Sequence, residues 1–350
     1  MICCRSSPKQ KSEVVSFVKK HLKAITLSIG DGGNDVELIQ TAHIGVGILG
    51  KEGSQAATSA EYSITRFQFL DRLLLVHGRW CHFRISLFIL VFFYKNMIFT
   101  LQQVWFATMS GYSAQTFFDE GYLLNFNSII TASAPGYIGA FEIDVSPEDG
   151  EHVRKSLPGL FAHNRDNPLF TYKTFSAWFF VSCLESAAIF HFVEAGIGIA
   201  AQMTDGMTDG LWLVSITNYS CIIGFLIVTF AMIIRRWTSL THFVFWGLTL
   251  ILYFPIFMFV WDKFSSPVEG KLRDILQSSR FWLCTFAVVG ISLIIKYGYR
   301  MIIRIFWPNE IDELNYITKN RKEIASKTGK PVLSAPSIEL QNALNEFDLK

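Results

Sequence analysis

Two aspartates, Asp31 and Asp35, stand four residues apart in Gly30-Asp31-Gly32-Gly33-Asn34-Asp35. Across a tight glycine turn that spacing lets two carboxylates converge on one point. Hard oxygen ligands of this kind suit Mg²⁺, which favours one or two carboxylates completed by water and phosphate oxygens. A Gly-Asp-Gly run also punctuates ordinary turns, so the chemistry depends on what surrounds it. Lys95 stands out for a different reason. It lies near the middle of an apolar run, where a charge costs at least roughly 2.5 to 3.5 kcal/mol on insertion scales. A residue that costly usually faces a cavity or a partner. Asn96, Gln102 and Gln103 share the run; Lys95 and Gln102, like Asn96 and Gln103, are seven residues apart, which predicts one polar stripe on a helix. The alternative is a structural pairing of Lys95 with a carboxylate such as Glu185.

These residues need elements to hold them. Pro8 after Ser7 opens a helix, and Val14, Val15 and Val18 set its apolar stripe as far as Lys19 and Lys20. Ala24 to Ile29 is a short, almost wholly apolar run that reads as a strand ending in the glycine turn. Val36 to Thr41 reads as a helix and Ile44 to Leu49 as a second strand. Strand, turn, short helix and strand in so few residues predict a parallel, doubly wound α/β piece over residues 1–80. After residue 80 six apolar stretches follow, about 83–107, 122–142, 174–195, 211–234, 243–262 and 281–303, each near the ~20 residues that cross a bilayer. In the second, Asn125, Asn127, Ser128, Thr131 and Ser133 precede Pro135 and Gly136. That combination can break a helix and free backbone carbonyls, which fits a polar path or a plain proline kink. Glu142 and His191 fall at span ends, where an interfacial role is expected.

Composition agrees with a polytopic membrane protein. Of 350 residues, 51% are hydrophobic and only 17% charged, against about 25% charged in soluble chains. The net charge of +2 and the absence of a basic patch interleaved with aromatics argue against nucleic acid. No two of the six cysteines have metal-ligand spacing, and those in apolar runs read as small hydrophobes. The amino terminus lacks a signal-peptide core, so the first span is expected to direct insertion. An even number of spans puts both ends on one side. Lysine and arginine are absent near 108–121 and 196–210, while Arg154, Lys155, Arg165, Lys173, Arg235 and Arg236 lie in the alternate loops, which predicts cytoplasmic termini. The loop 263–280, with Lys263, Lys271, Arg273 and Arg280, runs against that pattern.

Five groups of residues resemble the P-type ATPases, and the last three narrow the likeness to the type IV, lipid flippase branch. Gly30 to Asp35 is similar to the superfamily's hinge motif, with Gly33 where alanine is more usual, and Cys3 to Lys11 looks like the segment before it. Ala42-His43-Ile44-Gly45-Val46-Gly47-Ile48 with Gly50 and Glu52 to Ala56, then Leu74 to Trp80, then Phe93-Tyr94-Lys95-Asn96, resemble the flippase branch in order and spacing. The resemblance implies a HAD-like, Rossmannoid phosphorylation domain in part (1–80), a six-helix membrane domain (81–307) and a cytoplasmic tail (308–350). It implies Mg²⁺ at Asp31 and Asp35, ATP or phosphate at Arg5, Lys11, Asn34 and Asp35, and a lipid pathway at Lys95 and Asn96. An ATP-driven phospholipid translocase of the plasma membrane or an endomembrane is expected, working toward the cytoplasmic leaflet, with an accessory β-subunit as a partner. Ser133-Ala134-Pro135-Gly136 departs from the Leu-Pro-Pro-like stretch more usual there, which leaves the headgroup open. Ser326-Lys327-Thr328-Gly329-Lys330 resembles the Asp-Lys-Thr-Gly-Thr phosphorylation signature but begins with a serine where the mechanism needs a carboxylate. The chain is therefore expected to be a carboxyl-terminal fragment without the phosphorylated aspartate, inactive alone. The alternatives are a non-catalytic truncated scaffold and a cation-transporting P-type ATPase; a mid-span lysine argues against the latter, whose sites need several carboxylates.

Overall fold

The computed structural model describes residues 5–50, 53–143, 169–198, 210–264 and 269–306. Cys3 and Cys4, Glu52, the loop with Arg154, Lys155 and Arg165, the Ser326 to Lys330 run and the expected tail lie outside the described residues. The chain divides into two compact units, Met1–Arg79 and Trp80–Lys350.

In the first unit, helix α1 (Pro8–Leu22) starts as its sequence predicts. Ser7 caps it by accepting from the Gln10 amide, and the Gln10 side chain accepts in return from the Ser7 amide, a reciprocal capping box. Strand β1 (Leu27–Gly30) leads into a tight turn at Gly33–Asp35 and helix α2 (Val36–Thr41). Strand β2 (Ile44–Ile48), helix α3 (Gln55–Ser59) and strand β3 (Tyr62–Ile64) complete a parallel sheet in the order β1-β2-β3. Leu27 pairs with Ile44, Gly30 with Gly47, and Ile48 with Ile64. Parallel strands need crossovers, and α2 and α3 supply them. Val46, Ile39 and Ala56 are the buried centre. At Gly47 a Cβ would lie 2.5 Å from the Ala56 carbonyl oxygen, so a glycine there lets α3 lie directly on the strand.

Helix α4 (Phe69–Arg72), a wide-turn segment at Leu73–Gly78 and helix α5 (Arg79–Met109) follow without interruption. Among the described residues four helices are long and apolar enough to cross a membrane: Phe69–Met109, Tyr172–Ile197, Gly210–Ile233 and Ser279–Ile303. The other two apolar stretches are interrupted. The first is α6 (Glu120–Asn125), a widened segment Phe126–Ile130, a turn, then α7 (Ser133–Phe141). The break falls where the amides, hydroxyls and Pro135 predict one. The Phe126 carbonyl is satisfied by both the amide and the hydroxyl of Thr131, and Pro135 sits in the first turn of α7, where no amide hydrogen is needed. Helices α8 (Tyr172–Ile197) and α9 (Gly210–Ile233) come next. After α10 (Ser239–His242) the backbone again takes wide turns over Phe243–Phe257 before α11 (Met258–Phe264); α12 (Lys271–Gln277) and α13 (Ser279–Phe306) close the described chain.

Within this second unit α9 is central: 72% of its most apolar window is buried, against 28% for α8 and α13. Its hydroxyls donate to carbonyls of their own helix, Thr217 to Leu213, Ser220 to Ile216 and Thr229 to Phe225, the i−4 pattern open to a buried hydroxyl. Tyr219 on α9 meets an aromatic stack in which Phe99 of α5 lies 3.9 Å from Phe126 and 4.8 Å from Phe118, centroid to centroid. The stack ties α5 to the interrupted stretch at the level of Lys95.

Candidate functional site

The acidic turn is built by two contacts. A Cβ on Gly30 would lie 2.2 Å from the Asp35 Cβ and 3.0 Å from its Oδ2, so the absence of a side chain at the end of β1 is what admits the Asp35 carboxylate. Lys11 Nζ donates to Asp35 Oδ1 at 2.7 Å. Lys11 is held in place because α1 is tied to α2 at two points after it: Ser12 Oγ donates to Glu37 Oε1 at 3.0 Å and Lys19 Nζ to the Thr41 carbonyl at 3.2 Å. Asp31 and Asn34 are exposed on the same turn, while Arg5 is exposed and makes no hydrogen bond or ion pair to the described residues. Lys11 and Asp35 are thus brought together, with Asp31 and Asn34 beside them in sequence, and Arg5 is not bonded to the group.

The donor set fits a magnesium ion with a phosphate. Two carboxylates and an amide are hard oxygen donors, and they sit past the carboxyl end of a parallel strand, where open α/β sheets take their ligands. The cradle that Gly30 keeps open is occupied by Asp35, and an ammonium is already drawn to it, as a phosphate would also require. Among the described residues no cluster of three or more His, Cys, Asp or Glu exists.

Lys95 on α5 is 1% exposed. Its Nζ donates to Asn127 Oδ1 and Thr131 Oγ1, each at 2.8 Å, and lies 5.3 Å from the Phe92 ring centre and 5.5 Å from that of Phe126. Among the described residues no carboxylate pairs with it. Asn127 lies on the exposed surface of the unit and Thr131 is buried, so the amine marks the inner end of a short polar track. Asn96 is half-buried, and its Oδ1 is buried without a hydrogen-bond partner.

Three readings are corrected here, the first of them the alternative for Lys95. Lys95 does not pair with Glu185. That carboxylate accepts from Lys296 Nζ on α13 at 2.7 Å and from the Tyr94 hydroxyl, and Lys296 Nζ also donates to the Tyr94 oxygen at 2.9 Å. Nor do the polar residues of α5 form one stripe. Gln102 donates to the Ser186 carbonyl and hydroxyl of α8, both at 3.0 Å, while Gln103 bridges the Gln115 carbonyl and the Phe117 amide. Residues seven apart share an azimuth but stand about 10 Å apart along the axis, and helices that cross at an angle change neighbours over that distance. Glu142, expected at an interface, is 1% exposed and accepts from the Arg235 amide, while His191 pairs at the surface with Glu194. Sequence reasoning missed Lys296. Its signal was the same as that of Lys95: a lone charge inside an apolar run, here Ile294-Ile295-Lys296-Tyr297.

The profile described as "Phospholipid-translocating P-type ATPase C-terminal" matches residues 57–309. The chain belongs to this family. Members of the phospholipid-translocating P-type ATPases align with nearly all of it. Phospholipid-transporting ATPase IC of Homo sapiens is 35% identical over 341 residues, covering 93% of this chain and 26% of that protein. Phospholipid-transporting ATPase ID of Mus musculus is 34% identical over 331 residues (92% and 27%), and probable phospholipid-transporting ATPase 4 of Arabidopsis thaliana 35% over 329 (91% and 26%). The chain spans about a quarter of the length of these relatives. With four apolar helices of membrane-crossing length, this family member is an integral membrane protein, and Lys95 lies within the residues that the family profile matches while the acidic turn precedes them.

Proposed function

We propose that the chain forms the carboxyl-terminal part of an ATP-driven phospholipid translocase that moves phospholipid from the exoplasmic to the cytoplasmic leaflet. The observation that carries this reading is Lys95, a fully buried ammonium answered, among the described residues, by an amide oxygen, a hydroxyl and two ring faces. A buried charge without its counter-charge is costly to hold. The phosphate of a passing lipid supplies that counter-charge, entering past the exposed Asn127, while its acyl chains stay in the bilayer. Asn96 lies beside this track with an unused amide oxygen. A cation path would want carboxylates at this depth, whereas Glu185 of α8 is committed to Lys296. The relatives are named as phospholipid-transporting, which supports the same substrate class.

At the acidic turn, Asp31 and Asp35 hold Mg²⁺, and Arg5, Lys11, Asn34 and Asp35 meet ATP or the transferred phosphate. When bound, the ion neutralises charge on the phosphoryl group. Lys11 holds the Asp35 carboxylate in its orientation, and α1 brings Lys11 there. Positioning of this kind is most of what phosphoryl transfer asks of a protein. The three-stranded parallel sheet supports a HAD-like, Rossmannoid phosphorylation domain over 1–80. The four long helices and the two interrupted stretches support six crossings within 81–307, with 308–350 and the amino terminus in the cytoplasm of a plasma-membrane or endomembrane protein that works with an accessory subunit.

In cells, uptake of short-chain fluorescent phospholipids is expected to fall when the native locus is deleted and to stay low when it is restored with Lys95→Ala. Uptake unaffected by deletion for choline, serine and ethanolamine headgroups alike would remove the translocase reading. The 350 residues contain no Asp-Lys-Thr-Gly-Thr, so the purified chain in vesicles is expected to form no acid-stable, hydroxylamine-labile phosphoenzyme on addition of ATP. A phosphoenzyme there would place the reacting carboxylate within this stretch.

A further inference from the structure

Tyr94 and Lys95 are consecutive on α5, so their side chains leave the axis about 100° apart. Each meets a different neighbour. Lys95 reaches the interrupted stretch at Asn127 and Thr131, while the Tyr94 hydroxyl donates to Glu185 of α8 and accepts from Lys296 of α13. Lys296 lies 4.6 Å from the Phe225 ring centre of α9 and 5.4 Å from that of Tyr94. Three helices therefore converge on the ring that precedes Lys95. Two turns farther along, α5 is fixed to the same helix by Ser186, which accepts from Gln102 and Trp105 and donates to the Ile98 carbonyl. That anchor restrains the rotation of α5 beyond Lys95, and the Tyr94 hydroxyl restrains it one residue before Lys95. A rotation of roughly 30° swings a side-chain tip by about 3 Å at the radius of a helix with its side chains, enough to break both bonds of Lys95.

We propose that Tyr94, Glu185 and Lys296 are positioning residues: the Glu185–Lys296 pair holds the Tyr94 hydroxyl and so fixes the rotation of α5 that aims Lys95 at Asn127 and Thr131, which sets the affinity for the transported headgroup. The ion pair acts through Tyr94 and does not touch the lipid. Its part in affinity rests on the translocase reading; its control of Lys95 does not.

Two measurements separate these. In magic-angle-spinning NMR of the full 350-residue chain in phosphatidylcholine vesicles, a cross-peak between Lys95 Nζ and Asn127 Cγ, assigned by its loss in Asn127→Ser, reports the aim of Lys95. Tyr94→Phe, which removes one oxygen and leaves the ion pair standing, is expected to reduce that cross-peak to less than half. Glu185→Gln is expected to do the same, and the reversed pair Glu185→Lys/Lys296→Glu to restore it. An undiminished cross-peak in Tyr94→Phe would overturn the proposal, and that variant decides the matter even where Glu185→Gln does not fold. In the protein expressed from its native locus, Tyr94→Phe is expected to raise the phospholipid KM of the ATPase about tenfold with kcat kept within about twofold, since apparent affinity falls with the fraction of competent conformer. A fall in kcat at unchanged KM would count against the role in affinity. No lipid stimulation in the parent protein would defeat the translocase reading while leaving the NMR result to decide whether the latch exists.

Discussion

In Lys95→Met a side chain of similar length fills the channel of the lysine stem and the charge disappears. Opposing terms fix the expected stability. Removing a charge at membrane depth relieves about 2.5 to 3.5 kcal/mol on insertion scales. Against this stand the two bonds from Nζ to Asn127 and Thr131, each worth about 1.5 kcal/mol at the low end for a charged donor. The losses stay low because Thr131 keeps its own donation to the Phe126 carbonyl and Asn127 is exposed, so neither oxygen is stranded. The terms nearly cancel, and Lys95→Met is expected within about 2 kcal/mol of the parent. Glu185→Leu is the contrast: it leaves the half-buried Lys296 without its carboxylate, and an unanswered charge in an apolar run costs about 2.5 to 3.5 kcal/mol on insertion scales. Unfolding of the 350-residue chain in mixed micelles with rising dodecyl sulfate, followed by tryptophan fluorescence, ranks the two. In the protein expressed from its native locus, Lys95→Met is expected to abolish lipid-stimulated ATPase. Destabilisation of Lys95→Met equal to that of Glu185→Leu would make Lys95 a structural strut and refute the reasoning.

Two further outcomes follow from other contacts. Gly30→Ala places a methyl group against the Asp35 Cβ, so Asp35 and its bond to Lys11 must shift; the 350-residue chain is expected to lose roughly tenfold in Mg²⁺ affinity by calorimetric titration, and unchanged affinity would remove Asp35 from the metal site. Ser186→Ala deletes the hydroxyl that joins Gln102, Trp105 and the Ile98 carbonyl at a fully buried point; about 1 to 3 kcal/mol of stability is expected to go with it, read in the same micelle titration.

The first unit was legible wherever the deciding contacts are local. Ser7, Pro8 and Gln10 announce the start of α1 within four residues, and the glycine turn after Ile29 ends β1 where the apolar run stops. Strand β3 escaped notice because Tyr62–Ile64 is three residues long and only its last is buried; what defines it is pairing with β2, a non-local fact. The same contrast holds among the apolar stretches. Amides, hydroxyls and Pro135 flag the break between α6 and α7, whereas Phe243–Phe257 is an unbroken apolar run whose wide turns have no comparable local signal except Pro255.

The two lysines of the membrane unit show where sequence reasoning stops. Lys95 and Lys296 each sit alone in an apolar run, and nothing in their immediate neighbours tells them apart. Hydropathy identifies both as costly; only the packing of α5, α8 and α13 says which of them Glu185 answers. The alternative that paired Lys95 with Glu185 named the right carboxylate and the wrong amine, because partner choice depends on the azimuth at which neighbouring helices cross. The residue that settles the matter is Tyr94. It stands on the face of α5 toward α8 and uses its hydroxyl to bridge Glu185 and Lys296, and that same orientation turns Lys95 away from the carboxylate by about a quarter turn. One lysine is neutralised because the other is not, and the un-neutralised one is where an anionic headgroup has something to gain.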